Sequence, residues 1–364
     1  MKKRLFLLAF LMPLFLISCT KTENPQQVKN VIYMIGDGMG LAQVSLLQIE
    51  EDYAPTAFDR AEGVALTVTR SANNRVTDSA AAGTALASGQ KTNNSMLGQL
   101  PDATPSESMM AKATKKGLKT GLVVTCTLQH ATPGAFYAHV AHRKMNAEIT
   151  RDMLASDVDV LVGGGRKWLA DECAEGGSYF EAFMRKGYQI ADDLQTLKTI
   201  ESGRVLASVA EEHLDRADER GNYLPEAVAQ TLKILDNDAQ NNGFLLMVEG
   251  SQIDFASHKN DSKWLIDEMR DFNRAVNVAM DYADAHPGTL VVVVADHETG
   301  GLSIPANKTD FTMGENGVRY EFSTHSHTAC MIPVYLYGTG ADRITGVMEN
   351  TELAKKIMQL LELQ

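Results

Sequence analysis

Three runs of this chain, apolar at every position, each stop at a carboxylate. Val31-Ile32-Tyr33-Met34-Ile35 gives way to Gly36-Asp37-Gly38, Phe244-Leu245-Leu246-Met247-Val248 to Glu249-Gly250, and Leu290-Val291-Val292-Val293-Val294-Ala295 to Asp296-His297. A strand with one wet face alternates apolar and polar residues. A run with no polar position needs cover on both faces, as in a parallel sheet. In open α/β sheets, ligands sit outside the carboxyl ends of the strands. The runs therefore deliver Asp37, Glu249, Asp296 and His297 to one edge, with Asp254 and His258 just beyond the second. Acids and imidazoles gathered there would repel or go unpaired unless cations lay among them. The pattern is that of a metalloenzyme.

Between these runs, strand-like and helix-like segments alternate. Helical patterns cover Ala42 to Glu51, Ser79 to Ser88 (closed by Gly89), Ser106 to Lys116, Asn146 to Ala155, Leu224 to Asp238, Asp261 to His286 and Thr351 to Leu363. Further strands are expected at Val64 to Arg70, Thr120 to Thr125, Val158 to Val162 and Ile332 to Gly338. This order predicts an α/β fold: a doubly wound, mostly parallel central sheet with helices on both faces. Residues 30–364 read as a single catalytic domain, with no repeat or internal linker.

The first residues stand apart. A basic Met1-Lys2-Lys3-Arg4 precedes the apolar stretch Leu5 to Ile17, which suits a signal peptide and falls short of the ~20 residues of a membrane span. Leu16-Ile17-Ser18-Cys19 resembles a bacterial lipoprotein signal box, which implies cleavage after residue 18 and lipid on Cys19. Residues 19–29 would then be a polar tether, and the protein would be exported across the inner membrane and held at the periplasmic or outer membrane. An ordinary cleaved signal is the plainer alternative. The net charge of −12 argues against nucleic acid as a partner. Cys126, Cys173 and Cys330 show no metal-ligand spacing, so the expected ligands are oxygen and imidazole nitrogen, and any disulfide pairing is open.

Several segments carry chemistry and also have bland readings. Asp254 and His258 are four apart, which puts them on one helical face where both can reach one ion or simply pair. Ser79, at a helix start, is either an N-cap or a nucleophile set where helix N–H groups favour an oxyanion. No histidine base lies near it in sequence, so a nucleophilic Ser79 would need a metal to activate it. Arg143 is a surface charge or a bidentate oxyanion clamp. His130-Ala131-Thr132-Pro133 is a plain loop on its own, and His325-Ser326-His327 is weakly suggestive of metal.

Set in chain order, these segments resemble the alkaline phosphatase family. The matching stretches are Gly36-Asp37-Gly38-Met39-Gly40, Val76-Thr77-Asp78-Ser79-Ala80-Ala81, Ala131-Thr132-Pro133, Ala138-His139-Val140 leading to Arg143, Val248-Glu249-Gly250 with Asp254 and His258, Ala295-Asp296-His297, and His327-Thr328. The resemblance implies hydrolysis of small phosphate monoesters through a phosphoserine on Ser79. It implies one Zn2+ held by Asp254, His258 and His327, and a second by Asp37, Asp296 and His297. It also implies Mg2+ shared by Asp37, Thr132 and Glu249, with Arg143 on the phosphate oxygens. His130 stands where some bacterial members carry an aspartate beside the magnesium site. An imidazole there suits Zn2+ better, which leaves the third ion open. The short interval between His297 and His327 leaves little room for a dimer crown, so monomer and homodimer both stay open. Three alternatives remain: a phosphodiesterase, another hydrolase of the same superfamily, or a lipid-anchored metal- or phosphate-binding protein without turnover. A sulfatase is disfavoured because Ser79 is followed by Ala80-Ala81 in place of a Pro-x-Arg signature, and a mutase because no large inserted segment is evident.

Overall fold

The computed structural model describes residues 27–239, 242–307 and 317–363. The segments expected to be a signal peptide (1–18) and, for the most part, a tether, with Cys19, lie outside the described residues, as do residues 308–316 between His297 and His327. The strands are β1 (Asn30–Gly36), β2 (Gly63–Val68), β3 (Lys119–Thr127), β4 (Val160–Gly164), β5 (Gln189–Ala191), β6 (Val205–Ser208), β7 (Phe244–Gly250) and β8 (Thr289–Val294). They continue with β9 (Glu298–Thr299), β10 (Leu302–Ser303), β11 (Glu321–Phe322), β12 (His327–Thr328), β13 (Ile332–Gly338) and β14 (Gly346–Glu349).

Ten of them form one sheet in the order β14-β2-β13-β8-β1-β7-β3-β4-β6-β5. Every pairing is parallel except those of β13 with β2 and β8. This is the expected mostly parallel α/β architecture. The three fully apolar runs are its centre: β1 lies between β8 and β7, and all three are buried along their length apart from Asn30. The helices Tyr223–Ala239 and Ser262–Ala285 pack on each other and against β3, β7 and β8. The helices Ser79–Ser88, Met109–Lys116 and Asn350–Leu360 form a second group against β2, β3 and β7. No described helix is long and apolar enough to cross a membrane.

Register fixes where the acids emerge. Ile35 is level with Glu249 and with Val294, so Asp37 and Asp296 leave the sheet at one height and Glu249 lies two residues below them on β7. Glycine permits the crowding that follows. Gly38 has φ +75°, and a Cβ there would sit 2.8 Å from Thr299 Oγ1 and 3.0 Å from Asp254 Cα. The chain after β8 turns into the small ribbon β9–β12, in which Thr299 pairs with His327. That ribbon carries His327 back over His297. The edge strands β5 and β14, and β6 beside β5, are not anticipated from sequence: they have three or four residues each, too few to show a period.

Removing buried bulk from the centre should be costly. Leu246→Ala in β7 is expected to lose about 2–5 kcal/mol of stability, read as a lower urea midpoint with an unchanged denaturant slope.

Candidate active site

Ser79 is not the helix cap. That position belongs to Asp78, whose Oδ1 accepts from Ala81 N at 3.0 Å. Its Oδ2 accepts from Ser95 N at 3.0 Å and from Arg143 Nη1 at 3.3 Å. One carboxylate thus caps the helix and holds the arginine beside it. Ser79 becomes the first helical residue, with its hydroxyl free of capping, buried, and 3.2 Å from His297 Nε2. The folded chain brings a distant histidine to this serine, but not as a hydrolase triad. In a triad the acid orients the ring nitrogen opposite the serine. Here Asp37 Oδ1 at 3.4 Å and Asp296 Oδ2 at 3.2 Å face the same Nε2 that faces Ser79.

The other nitrogen of each inward imidazole is already committed. His297 Nδ1 lies 3.1 Å from Thr299 Oγ1, which in turn donates to Asp254 Oδ1 at 2.5 Å. His327 Nδ1 donates to Thr77 O at 2.8 Å, and His258 Nδ1 to His325 O at 2.6 Å. All three rings therefore present Nε2 to the centre, the outer-partner arrangement that fixes a metal-ligating tautomer. His258 and His327 hold their Nε2 atoms 3.2 Å apart, and Asp254 lies 3.3 Å from the first and 3.6 Å from the second. The His327 ring stacks on His297 with centroids 3.5 Å apart. His325 offers its backbone carbonyl to His258, and its ring Nδ1 turns to the His258 backbone carbonyl at 3.0 Å and not to the centre.

Beyond Asp37 lies a third group. Glu249, Thr132 and Cys126 are fully buried, and Cys126 Sγ is 3.3 Å from Glu249 Oε2. His130 is close by, its Nε2 3.3 Å from Arg143 Nη2. A guanidinium can only donate, so this lone pair of His130 goes to Arg143. His130 would ligate an ion only with Arg143 moved off it. Three donor sets are close enough for one ion each: Asp37, Asp296 and His297; Asp254, His297 and His327; and Cys126, His130 and Glu249. His258 lies against the second set. Cys126 is a correction to the expectation that no histidine–cysteine cluster exists, and sequence spacing held no signal for it. The three described cysteines are free.

The electrostatics demand positive charge. Burial, with the charges of Asp296, Asp254 and Glu249, pushes the Asp37 carboxyl well above the ordinary carboxylate range. Burial, reinforced by Asp296, pushes Glu249 up to about 7, although Ser251, Cys126 and Thr132 pull the other way. Burial also disfavours the charged form of Asp254, but His258, His297 and His327 outweigh it and hold that acid low. His297 is raised, because Asp296 and Asp254 overcome the effect of its burial. His327 is pushed down to about 4 and His130 to about 3, mainly by burial. Both Asp37 oxygens, Asp296 Oδ2, Glu249 Oε1, Thr132 Oγ1 and His130 Nδ1 are buried without a hydrogen-bond partner. Buried polar atoms are rarely left so. A cluster of unpartnered oxygens beside inward Nε2 atoms is the donor chemistry of divalent cations.

Comparison with known proteins decides the family. The alkaline phosphatase family profile matches residues 28–319. The chain belongs to the alkaline phosphatase family. Alkaline phosphatase 4 of Bacillus subtilis is 31% identical, over 94% of this chain and 90% of its own length. The solved alkaline phosphatase of the Antarctic bacterium TAB5 superposes with a TM-score of 0.87 at 33% identity, covering 93% of this chain and all of that one. A TAB5 variant with a histidine replaced by aspartate, solved with magnesium in its M3 site, gives 0.86 at 32% identity over 94% of this chain and 100% of its own. As a family member this chain is a metal-dependent phosphoric monoester hydrolase.

Thr299 was missed from sequence because its Glu298-Thr299-Gly300-Gly301 setting signals only a turn. It touches Asp254 and His297 at once, so Thr299→Val should lower metal affinity by roughly 10–100-fold. Equilibrium dialysis against zinc buffers checks this.

Proposed function

We propose that this phosphatase works through Ser79, with three divalent ions held by the residues expected from sequence. Asp254, His258 and His327 would hold one Zn2+; Asp37, Asp296 and His297 a second; Asp37, Thr132 and Glu249 the third. The single observation that carries this reading is the Ser79 hydroxyl, uncapped at a helix start, 3.2 Å from an inward imidazole nitrogen among unpartnered carboxylate oxygens. When bound, divalent ions supply Lewis-acid stabilisation of the attacking and leaving oxygens and lower the pKa of water and alcohols.

The chain's own residues do the rest. Ser79 Oγ attacks phosphorus as the bond to the alcohol oxygen breaks, and the alcohol departs with a proton. Water then attacks the phosphoserine, returning the proton to Ser79 Oγ and releasing inorganic phosphate. The Ser79–Ser88 helix points its N-terminal N–H groups toward this reaction, where they favour an oxyanion. Arg143 is held by Asp78 at 3.3 Å and leaves further donors for phosphate oxygens. Nothing in these groups reads the alcohol, which fits small phosphate monoesters in general. The third ion is Zn2+ or Mg2+. The magnesium in the M3 site of the TAB5 histidine-to-aspartate variant supports the view that His130 biases this chain away from magnesium.

Export also belongs to this reading: residues 1–18 as a signal peptide, lipid on Cys19, residues 19–29 as tether and residues 30–364 as one catalytic domain, acting as monomer or homodimer. Cys19→Ser should release the chain into the soluble fraction. Continued membrane association of that variant after cell fractionation would defeat the lipid anchor.

Ser79→Ala is expected to abolish acid-stable phosphoenzyme and to cut turnover of a chromogenic phosphomonoester by at least about 10³-fold, as for removal of other catalytic nucleophiles, while metal content stays near that of the wild type. Mass spectrometry of acid-quenched enzyme checks it: phosphate on any other residue would sink the assignment.

A further inference from the structure

Cys126 faces the site, yet neither the family motifs nor the reaction uses it. It is the next-to-last residue of β3, fully buried, and its thiol lies 3.3 Å from Glu249 Oε2 and 3.3 Å from Thr127 O. A small buried thiol donating a weak hydrogen bond is the plain explanation. Its surroundings say more. The other oxygen of the same carboxylate, Glu249 Oε1, and the hydroxyl of Thr132 are buried with no partner. Cys126, His130 and Glu249 offer ligand atoms that all lie within 4.8 Å of one another.

The separation is also right. Zinc bonds sulfur at about 2.3 Å and carboxylate oxygen at about 2.0 Å, so two such ligands at a tetrahedral angle stand about 3.5 Å apart. The observed Sγ to Oε2 distance is 3.3 Å. An ion could bridge the pair with only a slight opening. His130 Nε2 is engaged by Arg143, so the sulfur is the soft donor that needs no rearrangement of the phosphate clamp.

We propose that Cys126 is a ligand of the third ion, sharing it with Glu249 and making that site selective for a thiophilic cation such as Zn2+. This rests on the three-ion phosphatase reading. On binding, the Cys126 S–H bond breaks, its proton leaves to solvent, and the sulfur pair forms the bond to the ion, so the site gains one negative charge. A thiolate–carboxylate pair prefers zinc or cadmium to magnesium, which demands hard oxygen ligands. Such a site differs from one built with aspartate near Glu249, where oxygen alone faces the ion.

The test uses the full chain, stripped by chelation and reloaded with Cd2+ to three ions per chain. The wild type and a Cys173→Ser, Cys330→Ser double variant should both develop the ultraviolet thiolate-to-cadmium charge-transfer band as the third ion binds. Adding Cys126→Ser should remove it and weaken third-ion zinc binding by roughly 100-fold or more, beyond the usual cost of losing an outer partner. Cadmium NMR of the unmutated chain gives an answer independent of any variant: one of three resonances should shift into the sulfur-ligated range. Three bound ions with no band and no such resonance would overturn the role of Cys126 and leave the phosphatase reading standing. Fewer than three bound ions would overturn the third site itself. Phosphate trapped on Ser79 in the same preparation tests the phosphatase reading separately.

Discussion

Four carboxylates at one edge of the sheet set the terms for the rest of the molecule. Asp37, Glu249 and Asp296 are completely buried and Asp254 is 4% exposed. Ionised acids cannot be taken out of water this way without compensation. The protein supplies part of it in imidazole and leaves the remainder to bound cations. The result is a split: Asp254 and Asp296 are held low by the histidines against them, while Asp37 and Glu249 are driven up. A dication placed among them lets all four ionise together. Metal binding, folding of this edge and catalytic competence are then one linked property.

Precision comes from partners outside the donor set. Three imidazoles point Nε2 inward because Nδ1 is tied to the hydroxyl of Thr299, the carbonyl of Thr77 and the carbonyl of His325. These anchors come from segments far apart in the chain. The ribbon β9–β12 returns His327 over His297, and the loop before the Ser79–Ser88 helix supplies Thr77. Asp78 adds a further link by capping that helix and holding Arg143 at once. Ser79 and Arg143 are therefore positioned by one carboxylate, and a displacement of either would be felt by both.

Much of this was legible before folding. Runs without polar positions place strands at the sheet centre, because only cover on both faces tolerates them; β1, β7 and β8 are where those runs predict. The Ser79–Ser88 and Asn146–Ala155 helices and the strand Ile332–Gly338 agree with the sequence reading at both ends. Strands of three or four residues carry no period and escaped notice. The cap at Asp78 is also encoded locally, since aspartate directly before an alanine-rich helix is a strong start signal.

The sequence by itself determined the sheet centre, the edge at which the acids emerge and, through its motifs, the family. These follow from burial, strand period and residue type, which are local properties. Tertiary structure alone decided which nitrogen each histidine presents, that Ser79 faces His297 without a triad, that His130 gives its lone pair to Arg143, and that Cys126 stands 3.3 Å from Glu249. Each of these joins groups on different strands or loops. Their separation is set by register and packing, and no spacing along the chain encodes it.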